Sequence, residues 1–350
     1  MMPQLELARR DTDSTLVETP RLKLPPGAQE LIEVHRNAEK ELHKILVGIE
    51  EAVSLTLAGV YTSSHVLLQG APGLAKTLLA KSISQVFGLS FKRQQFTSDL
   101  MPADITGGLM LPPGGKEYYF SRGPIFTNVF LADEINRTPP KTQSALLEAM
   151  EEHQVTVGGV SYKLPEPFFV VATQNEINTP GTFPLPHAQL DRFATKIIVP
   201  LPDRQELVEI GDRTTNGYQY KIEPVLNPDT AQSSMARFRE AIYSVEESAE
   251  MKNIIAGTIL ALCPPYPEAL PEVKKYIQEG PLVRGLQSVT ILAKTLALLD
   301  GRMNMEPKDI VRAAVPALNH RLVPKMFSGK ASEVSVKSLI ERAVENAIGG

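Results

Sequence analysis

One glycine-containing stretch, residues 70–77, limits the possible folds more than any other part of the sequence. It follows a short apolar run, Val66-Leu67-Leu68, and precedes a segment from Leu78 to Phe87 in which apolar residues recur at helical spacing. Strand, loop and helix in this order are the context of a phosphate-binding loop, because backbone N–H groups and the positive end of a helix dipole form an anion site. The residues of this candidate loop are Gly70, Ala71, Pro72, Gly73, Leu74, Ala75, Lys76, Thr77 and Leu78.

Two polar residues of the loop have distinct expected roles. Lys76 would reach the β- and γ-phosphates of ATP, and the Thr77 hydroxyl would ligate Mg²⁺. The loop departs from the general phosphate-loop pattern at Ala75, where a glycine is usual. An alanine is tolerable there if its φ is negative, since the methyl group then causes no strain. ATP and Mg²⁺ are therefore the expected cofactors, and the alternative is a surface turn before an ordinary helix.

An acidic pair follows a second buried strand. Residues 125–132 are almost continuously apolar and end in Asp133 and Glu134, a pattern typical of a parallel strand that delivers two carboxylates at its carboxyl end. Asp133 can hold Mg²⁺ through water, and Glu134 can polarise the water that attacks the phosphate. The alternative is that one acid only caps the next helix. The acidic pair lies downstream of Lys76, with one predicted strand and a hairpin between the two. This placement favours the catalytic interpretation.

Two further polar residues lie near the ends of predicted strands. Asn175 follows the apolar strand 168–172, so its amide is expected at the same sheet edge as the acidic pair. There it can hydrogen-bond the γ-phosphate or the attacking water, although asparagine after a strand is often only a turn former. Arg192 precedes the last predicted strand, where a guanidinium can bind phosphate oxygens in bidentate fashion. It can equally pair with Asp191 or Asp203.

A change of pattern after residue 201 predicts a second domain. Up to that point strands and helices alternate, whereas residues 202–325 show helical segments and no strand pattern. Residues 326–350 are expected to form a helical tail, and residues 1–27 mix charges, threonine and proline like a flexible lead-in. Arg284 lies in the first turn of a predicted helix, where the dipole disfavours a base, so that a bound anion would explain it. A solvated arginine is the alternative.

Two predicted hairpins interrupt the α/β pattern. The first, residues 107–122, contains paired glycines and prolines around two short runs that can form strands. In the second, residues 155–163, Gly158-Gly159 supplies the positive φ that a two-residue turn needs. Both look like insertions at the edge of the nucleotide-binding fold. We therefore expect both to contact a partner or substrate.

Composition argues against several other classes of protein. The 350 residues carry 36 Lys and Arg against 40 Asp and Glu, a net charge of −4, so no global positive field attracts nucleic acid. The single cysteine, Cys263, excludes an intramolecular disulfide. No apolar run approaches the roughly 18 residues of a membrane span, and the first residues lack the core of a signal peptide. The expected location is the cytoplasm.

Taken together, these residues resemble the AAA+ ATPases and, within them, the MoxR family. In that family alanine is usual before the lysine of the Walker A loop, as at Ala75 here. The resemblance covers about residues 28–325. It rests on the Walker A loop at 70–77, the Walker B strand and following helix at 131–150, the sensor 1 strand at 172–175, and the arginine-finger segment at 184–193. Two stretches depart from the family pattern. They are residues 176–179 and Leu282-Val283, which precede Arg284 at the position of the sensor 2 arginine.

The resemblance implies an α/β architecture with a P-loop AAA+ core. This core, residues 28–201, would hold a parallel five-stranded sheet between helices (αβα), followed by a C-terminal all-helical lid domain. The chain would form a homo-hexameric ring in which Arg192 acts in trans on the γ-phosphate of the neighbouring subunit. Glu134, Asn175 and Arg284 would be the other catalytic residues.

The resemblance also implies a chaperone-like role. ATP hydrolysis would remodel or assemble partner proteins, often ones with a von Willebrand factor A domain. A ring-forming nucleic-acid motor is one alternative, although a strand channel needs a row of basic residues and usually stacking aromatics. A nucleotide-switched interaction scaffold is another, against which the intact Glu134 argues.

Overall fold

The computed structural model of the chain describes residues 24–175, 181–217, 220–325 and 335–349. Most of the predicted lead-in, the stretch 176–179 and residues 326–334 of the predicted tail lie outside them. The helices are α1 Pro26–Leu42, α2 Glu50–Thr62, α3 Lys76–Val86, α4 Pro102–Thr106, α5 Pro140–Glu152, α6 His187–Leu190, α7 Arg204–Thr215, α8 Pro228–Tyr243, α9 Ala249–Ala261, α10 Pro271–Tyr276, α11 Val283–Leu299, α12 Pro307–Leu318 and α13 Val336–Gly349. Among the described residues, no helix has the length and apolar content needed to cross a bilayer.

The strands form one large sheet and three short pairs. They are β1 Val66–Gln69, β2 Phe91–Gln95, β3 Gly107–Met110, β4 Tyr119–Arg122, β5 Val129–Asp133, β6 Gln154–Val157, β7 Val160–Lys163, β8 Phe169–Gln174, β9 Thr195–Ile198, β10 Ile277–Glu279 and β11 Val323–Pro324. The large sheet is parallel and has the order β2-β5-β8-β1-β9. Buried apolar clusters cover both of its faces, so the predicted αβα core with a parallel five-stranded sheet is confirmed.

Strand β5 is shorter than the apolar run that predicts it. It begins at Val129 rather than at residue 125. Asn128 explains the late start, because its side-chain oxygen accepts hydrogen bonds from the N–H and the hydroxyl of Ser90, at 3.2 and 2.8 Å. Ser90 immediately precedes β2, so this polar contact fixes where the two neighbouring strands begin to pair.

The helical region after residue 202 shares a hydrophobic core with the first two helices. One continuous cluster of buried apolar side chains lies on one face of the sheet and includes residues of α1, α2, α8, α9, α11, α12 and α13. Within it, Tyr61 makes edge contacts with His35, Phe87 and Phe238 at ring-centroid distances of 5.8, 5.8 and 6.0 Å. The C-terminal helical lid is therefore present, and it packs against the same face of the sheet as α1 and α2. The boundary between residues 201 and 202 stays a prediction.

A short antiparallel pair corrects the expectation that the region after residue 202 is all-helical. Ile277 in β10 lies opposite Pro324 in β11, and Glu279 lies opposite Val323. These strands have three and two residues, too few to show an alternating pattern in the sequence. The same reason explains why α4, α6 and α10, with four to six residues each, were not predicted.

Both predicted hairpins form, and they pack against each other. In the first, Leu109 lies opposite Phe120. In the second, Gly158 and Gly159 take φ values of 60° and 80°, as a two-residue turn requires. The Phe120 ring stacks on Tyr162 with centroids 4.1 Å apart and 23° between the planes. This aromatic contact joins the two hairpins into one projecting unit.

Candidate nucleotide-binding site

The loop 70–77 joins β1 to α3 at the carboxyl edge of the sheet. Helix α3 begins at Lys76, so the positive end of its dipole faces the loop, whereas Leu78 in its first turn is exposed. Gly73 has a φ of 85° with open space around it, so its backbone conformation alone requires glycine. The local structure is the strand, loop and helix that the sequence predicts.

The backbone of Ala75 does not have the negative φ at which an alanine would be tolerable without strain. Its φ is 53° and its ψ is 15°, in the left-handed region. An alanine there costs roughly 1 kcal/mol or more. Two contacts offset this cost. The Ala75 carbonyl accepts a hydrogen bond from the Leu79 N–H at 2.8 Å, and the residue packs against the hydrophobic core.

The ammonium group of Lys76 is held inside the loop by carbonyl oxygens. It donates to the carbonyls of Gly70 and Ala71 at 2.7 Å each, and the residue is buried. Burial lowers the pKa of Lys76, while the charges of Asp133 and Glu134 oppose that change. These carbonyl oxygens carry no formal charge, and among the described residues Lys76 forms no direct ion pair. Its positive charge is therefore not neutralised. A positive charge in this position suits a phosphate ligand.

The Thr173 hydroxyl fixes the acidic pair at the end of β5. It donates to Asp133 Oδ1 at 2.5 Å and accepts a hydrogen bond from the Glu134 N–H at 2.8 Å. Thr77 donates to the other oxygen of Asp133 at 3.2 Å, so the loop and the acidic pair meet directly. Glu134 has a φ of 56°, and this left-handed turn ends the strand and redirects the chain.

Glu134 and Asn175 lie together at one edge of the sheet, as the sequence predicts from the common direction of parallel strands. The Asn175 amide donates to Glu134 Oε1 at 2.8 Å, and Gln95 donates to Oε2 at 2.9 Å. Arg137 forms an ion pair with Oε2, also at 2.9 Å. The carboxylate of Glu134 is thus oriented from three sides, beside the loop.

The donor set suits Mg²⁺. The Thr77 hydroxyl and the Asp133 carboxylate are hard oxygen ligands that share one small region, which is what this ion needs when phosphate oxygens and water complete the coordination. Among the described residues, no group of three or more His, Cys, Asp or Glu side chains could hold a metal by itself, without phosphate oxygens or water. Arg93 donates to Asp133 Oδ2 at 2.9 Å, so a cation would share that oxygen with a guanidinium.

Sequence reasoning missed Thr173, Gln95 and Arg93. The last two belong to β2, which pairs with β5 in a register that sets Gln95 opposite Asp133. The sequence does not show which strands are neighbours, so it gave no reason to connect residues of β2 with the acidic pair. A polar residue at the carboxyl end of each parallel strand is the signal that could have identified them.

The two predicted arginines lie at the opposite edge of the sheet. The Ala194 N–H donates to the carbonyl of His65, immediately before β1, so Arg192 lies near the amino ends of the strands. Arg192 forms an ion pair with Glu151 at 2.9 Å rather than with Asp191 or Asp203. Strand β1 has four residues, about 13 Å in length, and it separates this group from the loop.

Arg284 joins the same group rather than the loop. Its guanidinium contacts Glu151 at 2.5 Å and Asp191 at 3.6 Å, so carboxylates are its anionic partners here. A cleft of about 270 Å³ runs between the lid and the sheet beside Arg192 and Arg284. The structure thus divides the predicted site residues into a loop group and an arginine group. The loop group holds Lys76, Thr77, Asp133, Glu134 and Asn175.

Comparison with protein families identifies two regions of the chain. Residues 65–195 match the ATPase family associated with various cellular activities (AAA), and residues 277–342 match the AAA lid domain. The first match includes both the loop and Arg192. The second includes Arg284.

Two curated relatives and one solved structure are similar to most of the chain. The chain is 36% identical over 335 residues to chaperone MoxR1 of Mycobacterium tuberculosis, covering 93% of this chain and 86% of that protein. It is 30% identical to protein MoxR of Methylorubrum extorquens, covering 81% of this chain and 86% of that protein. The crystal structure of a candidate ATPase from Cytophaga hutchinsonii superposes with a TM-score of 0.82 at 33% identity, covering 91% of this chain and 96% of the other.

The contacts of Thr173 predict a loss of stability in Thr173→Val. Valine keeps the shape but leaves the Asp133 carboxylate and the Glu134 N–H without this partner, which should cost about 1–3 kcal/mol of unfolding free energy. Thr195→Val is the matched control, because the buried Thr195 hydroxyl in β9 has no hydrogen-bond partner among the described residues. Denaturant unfolding should show almost no change for the control. Equal losses in both variants would contradict the assigned role of Thr173.

Proposed function

This chain belongs to the MoxR family of AAA+ ATPases, and we propose that it couples Mg²⁺-dependent ATP hydrolysis to the remodelling or assembly of partner proteins. One observation carries the proposal. The loop 70–77 and the acidic pair meet through the contact between Thr77 and Asp133, with the buried charge of Lys76 beside them. Phosphate cradle, metal ligands and candidate base therefore occupy one region.

Each residue of the loop group then has one task. Lys76 would exchange its contacts with Gly70 and Ala71 for phosphate oxygens, while Thr77 and Asp133 would hold Mg²⁺. The bound metal would neutralise the charge on the phosphates. Glu134 would accept a proton from the attacking water, and Asn175, hydrogen-bonded to it, would orient that carboxylate or the water.

Two variants test this division of tasks. Lys76→Ala should abolish ATP binding, because the lysine charge stabilises bound phosphates throughout the reaction. Glu134→Gln should bind ATP normally but hydrolyse it at least about 100-fold more slowly, since its carboxylate acts only as the water attacks. Fluorescent-nucleotide titration and phosphate release measure the two properties. Hydrolysis by Glu134→Gln at the wild-type rate would show that Glu134 does not activate the water.

The arginine group supports action across a subunit interface. Arg192 and Arg284 lie near the amino ends of the strands, whereas the loop lies at the carboxyl ends of the same strands. In a ring of six subunits with heterologous contacts, one edge of each subunit faces the other edge of its neighbour. Both arginines would then reach the γ-phosphate held by the next subunit. Arg284 would act in trans beside Arg192.

Exposed apolar side chains near the loop also fit a ring. Ile198, Leu201, Leu207 and Val208 are 63%, 74%, 56% and 60% exposed. They follow one another along the end of β9 and the start of α7. This segment lies next to the loop, because a Cβ on Gly70 would be 3.0 Å from the Val199 carbonyl. Coverage by a neighbouring subunit would remove this apolar surface from water.

Subunit mixing tests the action of Arg192. Arg192→Ala should bind ATP almost normally and lose about 10³ to 10⁵ in hydrolysis rate, the typical contribution of an arginine finger. Mixed with Lys76→Ala, it should regain activity, because some interfaces then combine an intact loop with an intact arginine. Native mass spectrometry must show that the subunits co-assemble. Co-assembled mixtures no more active than the separate variants would indicate that Arg192 acts within its own subunit.

The projecting pair of hairpins is the proposed contact for partner proteins. Met110, Tyr118 and Tyr119 are 53%, 67% and 53% exposed at its surface, whereas Phe120 is engaged by Tyr162. The second hairpin has Lys163 as its one basic residue, which is a poor fit for a nucleic-acid channel. A von Willebrand factor A domain is the partner class that the family suggests. The cytoplasmic location expected from the sequence stays a prediction.

Replacing the two exposed tyrosines tests the hairpin surface. Tyr118→Ser with Tyr119→Ser should leave basal ATP hydrolysis within about twofold, because surface changes seldom alter distant sites. When the two tyrosine substitutions are added to the Glu134→Gln variant, less host protein should co-purify with it. Tyr243→Ser is the matched control, since Tyr243 is 52% exposed on α8. Unchanged co-purification in the double variant, or an equal fall in the control, would contradict the assignment.

A further inference from the structure

The largest fully buried side chain among the described residues is that of Arg321. It follows α12 in the lid and is 1% exposed. Its guanidinium does not approach the loop 70–77. It lies instead against residues 191–194, the segment that carries Arg192.

The guanidinium of Arg321 makes five hydrogen bonds, four of them to this segment. Nε donates to Asp191 Oδ1 at 2.7 Å, and Nη2 donates to the carbonyls of Asp191 and Phe193 at 2.9 and 3.0 Å. Nη1 donates to the carbonyls of Ala194, at 3.2 Å, and of Ala317. The planar fork of an arginine is the side chain that can serve so many fixed acceptors at once.

His320 adds a second contact from the lid to the same carbonyl. Its Nε2 lies 2.9 Å from the Phe193 oxygen, and the residue is buried. Burial, together with the neighbouring charge of Arg321, lowers the pKa of His320 well below its usual value. A carbonyl oxygen can only accept a hydrogen bond, so Nε2 is the donor, and two consecutive lid residues hold the backbone after Arg192.

The aliphatic part of Arg321 also passes the start of α11. A Cβ on Gly285 would lie 3.3 Å from Arg321 Cδ and 3.2 Å from Leu318. Gly285 is next to Arg284, so one buried side chain lies beside the backbone that carries each of the two arginines. A shift of the lid relative to the sheet would move both.

We infer that Arg321 is a positioning residue, which sets the direction in which Arg192 and Arg284 leave the subunit and ties that direction to the position of the lid. The inference rests on the proposed action of Arg192 on a neighbouring subunit. Because Arg321 contacts residues 191–194 and the lid, but not the loop or the acidic pair, its loss should impair what the subunit presents to its neighbour. The subunit's own nucleotide site should be unaffected.

Arg321→Lys tests the inference, because it keeps a positive charge but cannot serve the five acceptors. We expect kcat to fall roughly 10- to 100-fold, the effect of a small misplacement of a reacting group, with the KM for ATP unchanged within about twofold. Arg312→Lys is the matched control, an exposed arginine of α12 paired with Asp300. A wild-type kcat in Arg321→Lys would overturn the inference.

Mixing with Lys76→Ala separates a positioning role from general damage. In co-assembled 1:1 mixtures, roughly one interface in four joins an intact loop from an Arg321→Lys subunit to a correctly held Arg192 from a Lys76→Ala subunit. We expect recovery of up to about a quarter of wild-type activity. No recovery here, with recovery in the Arg192→Ala mixture, would show that the loss lies in the subunit's own site and would overturn the inference alone. No recovery in the Arg192→Ala mixture would overturn the action in trans and this inference with it.

Asp191→Asn keeps the inference testable if Arg321→Lys fails to fold. Asp191 is partly exposed, and the substitution preserves its size while removing the charge that Arg321 and Arg284 share. We expect the same pattern in weaker form: lower kcat, unchanged KM for ATP, and recovery with Lys76→Ala. Wild-type kcat in a folded Asp191→Asn protein would count against the coupling of Arg321 to Arg192.

Discussion

The common direction of the five central strands is the constraint on which the rest of the site depends. Because all strands are parallel, every carboxyl end lies at one edge of the sheet and every amino end at the other. The first edge collects the loop, Asp133, Glu134 and Asn175. The second collects Arg192 and Arg284. In the proposed ring, a single subunit would therefore hold two halves of a site that face away from each other.

The shared hydrophobic core makes the position of the lid part of this arrangement. Lid helices pack with α1 and α2 on one face of the sheet, around contacts such as that between Tyr61 and Phe238. On the amino edge, the buried guanidinium of Arg321 adds a polar connection whose geometry is much more directional than apolar packing. Apolar contacts keep the lid attached, while these hydrogen bonds would determine its orientation relative to the segment 191–194 that carries Arg192.

The sequence was sufficient to predict whatever depends on strand polarity and local pattern. The loop, the sheet and the meeting of Glu134 with Asn175 all follow from apolar runs that end in polar residues. Contacts between distant segments could not be predicted from the sequence, because neither the pairing of β2 with β5 nor the approach of Glu151 to Arg284 produces a periodic pattern. The positive φ of Ala75 could not be predicted for a different reason: the chain must turn sharply into α3, and packing outweighs the local preference of alanine.

The carboxylate of Glu151 has a consequence for the energetics of assembly. It lies between Arg192 and Arg284, with an oxygen 2.9 Å from the first and 2.5 Å from the second. In the proposed ring, a phosphate reaching these guanidiniums would have to displace a carboxylate. The net gain would be the difference between two ion pairs, and since partly exposed pairs contribute only about 1 kcal/mol or less, that difference is small. An isolated subunit would then carry its own counter-ion, and exchange of that counter-ion would make association reversible and sensitive to ionic strength.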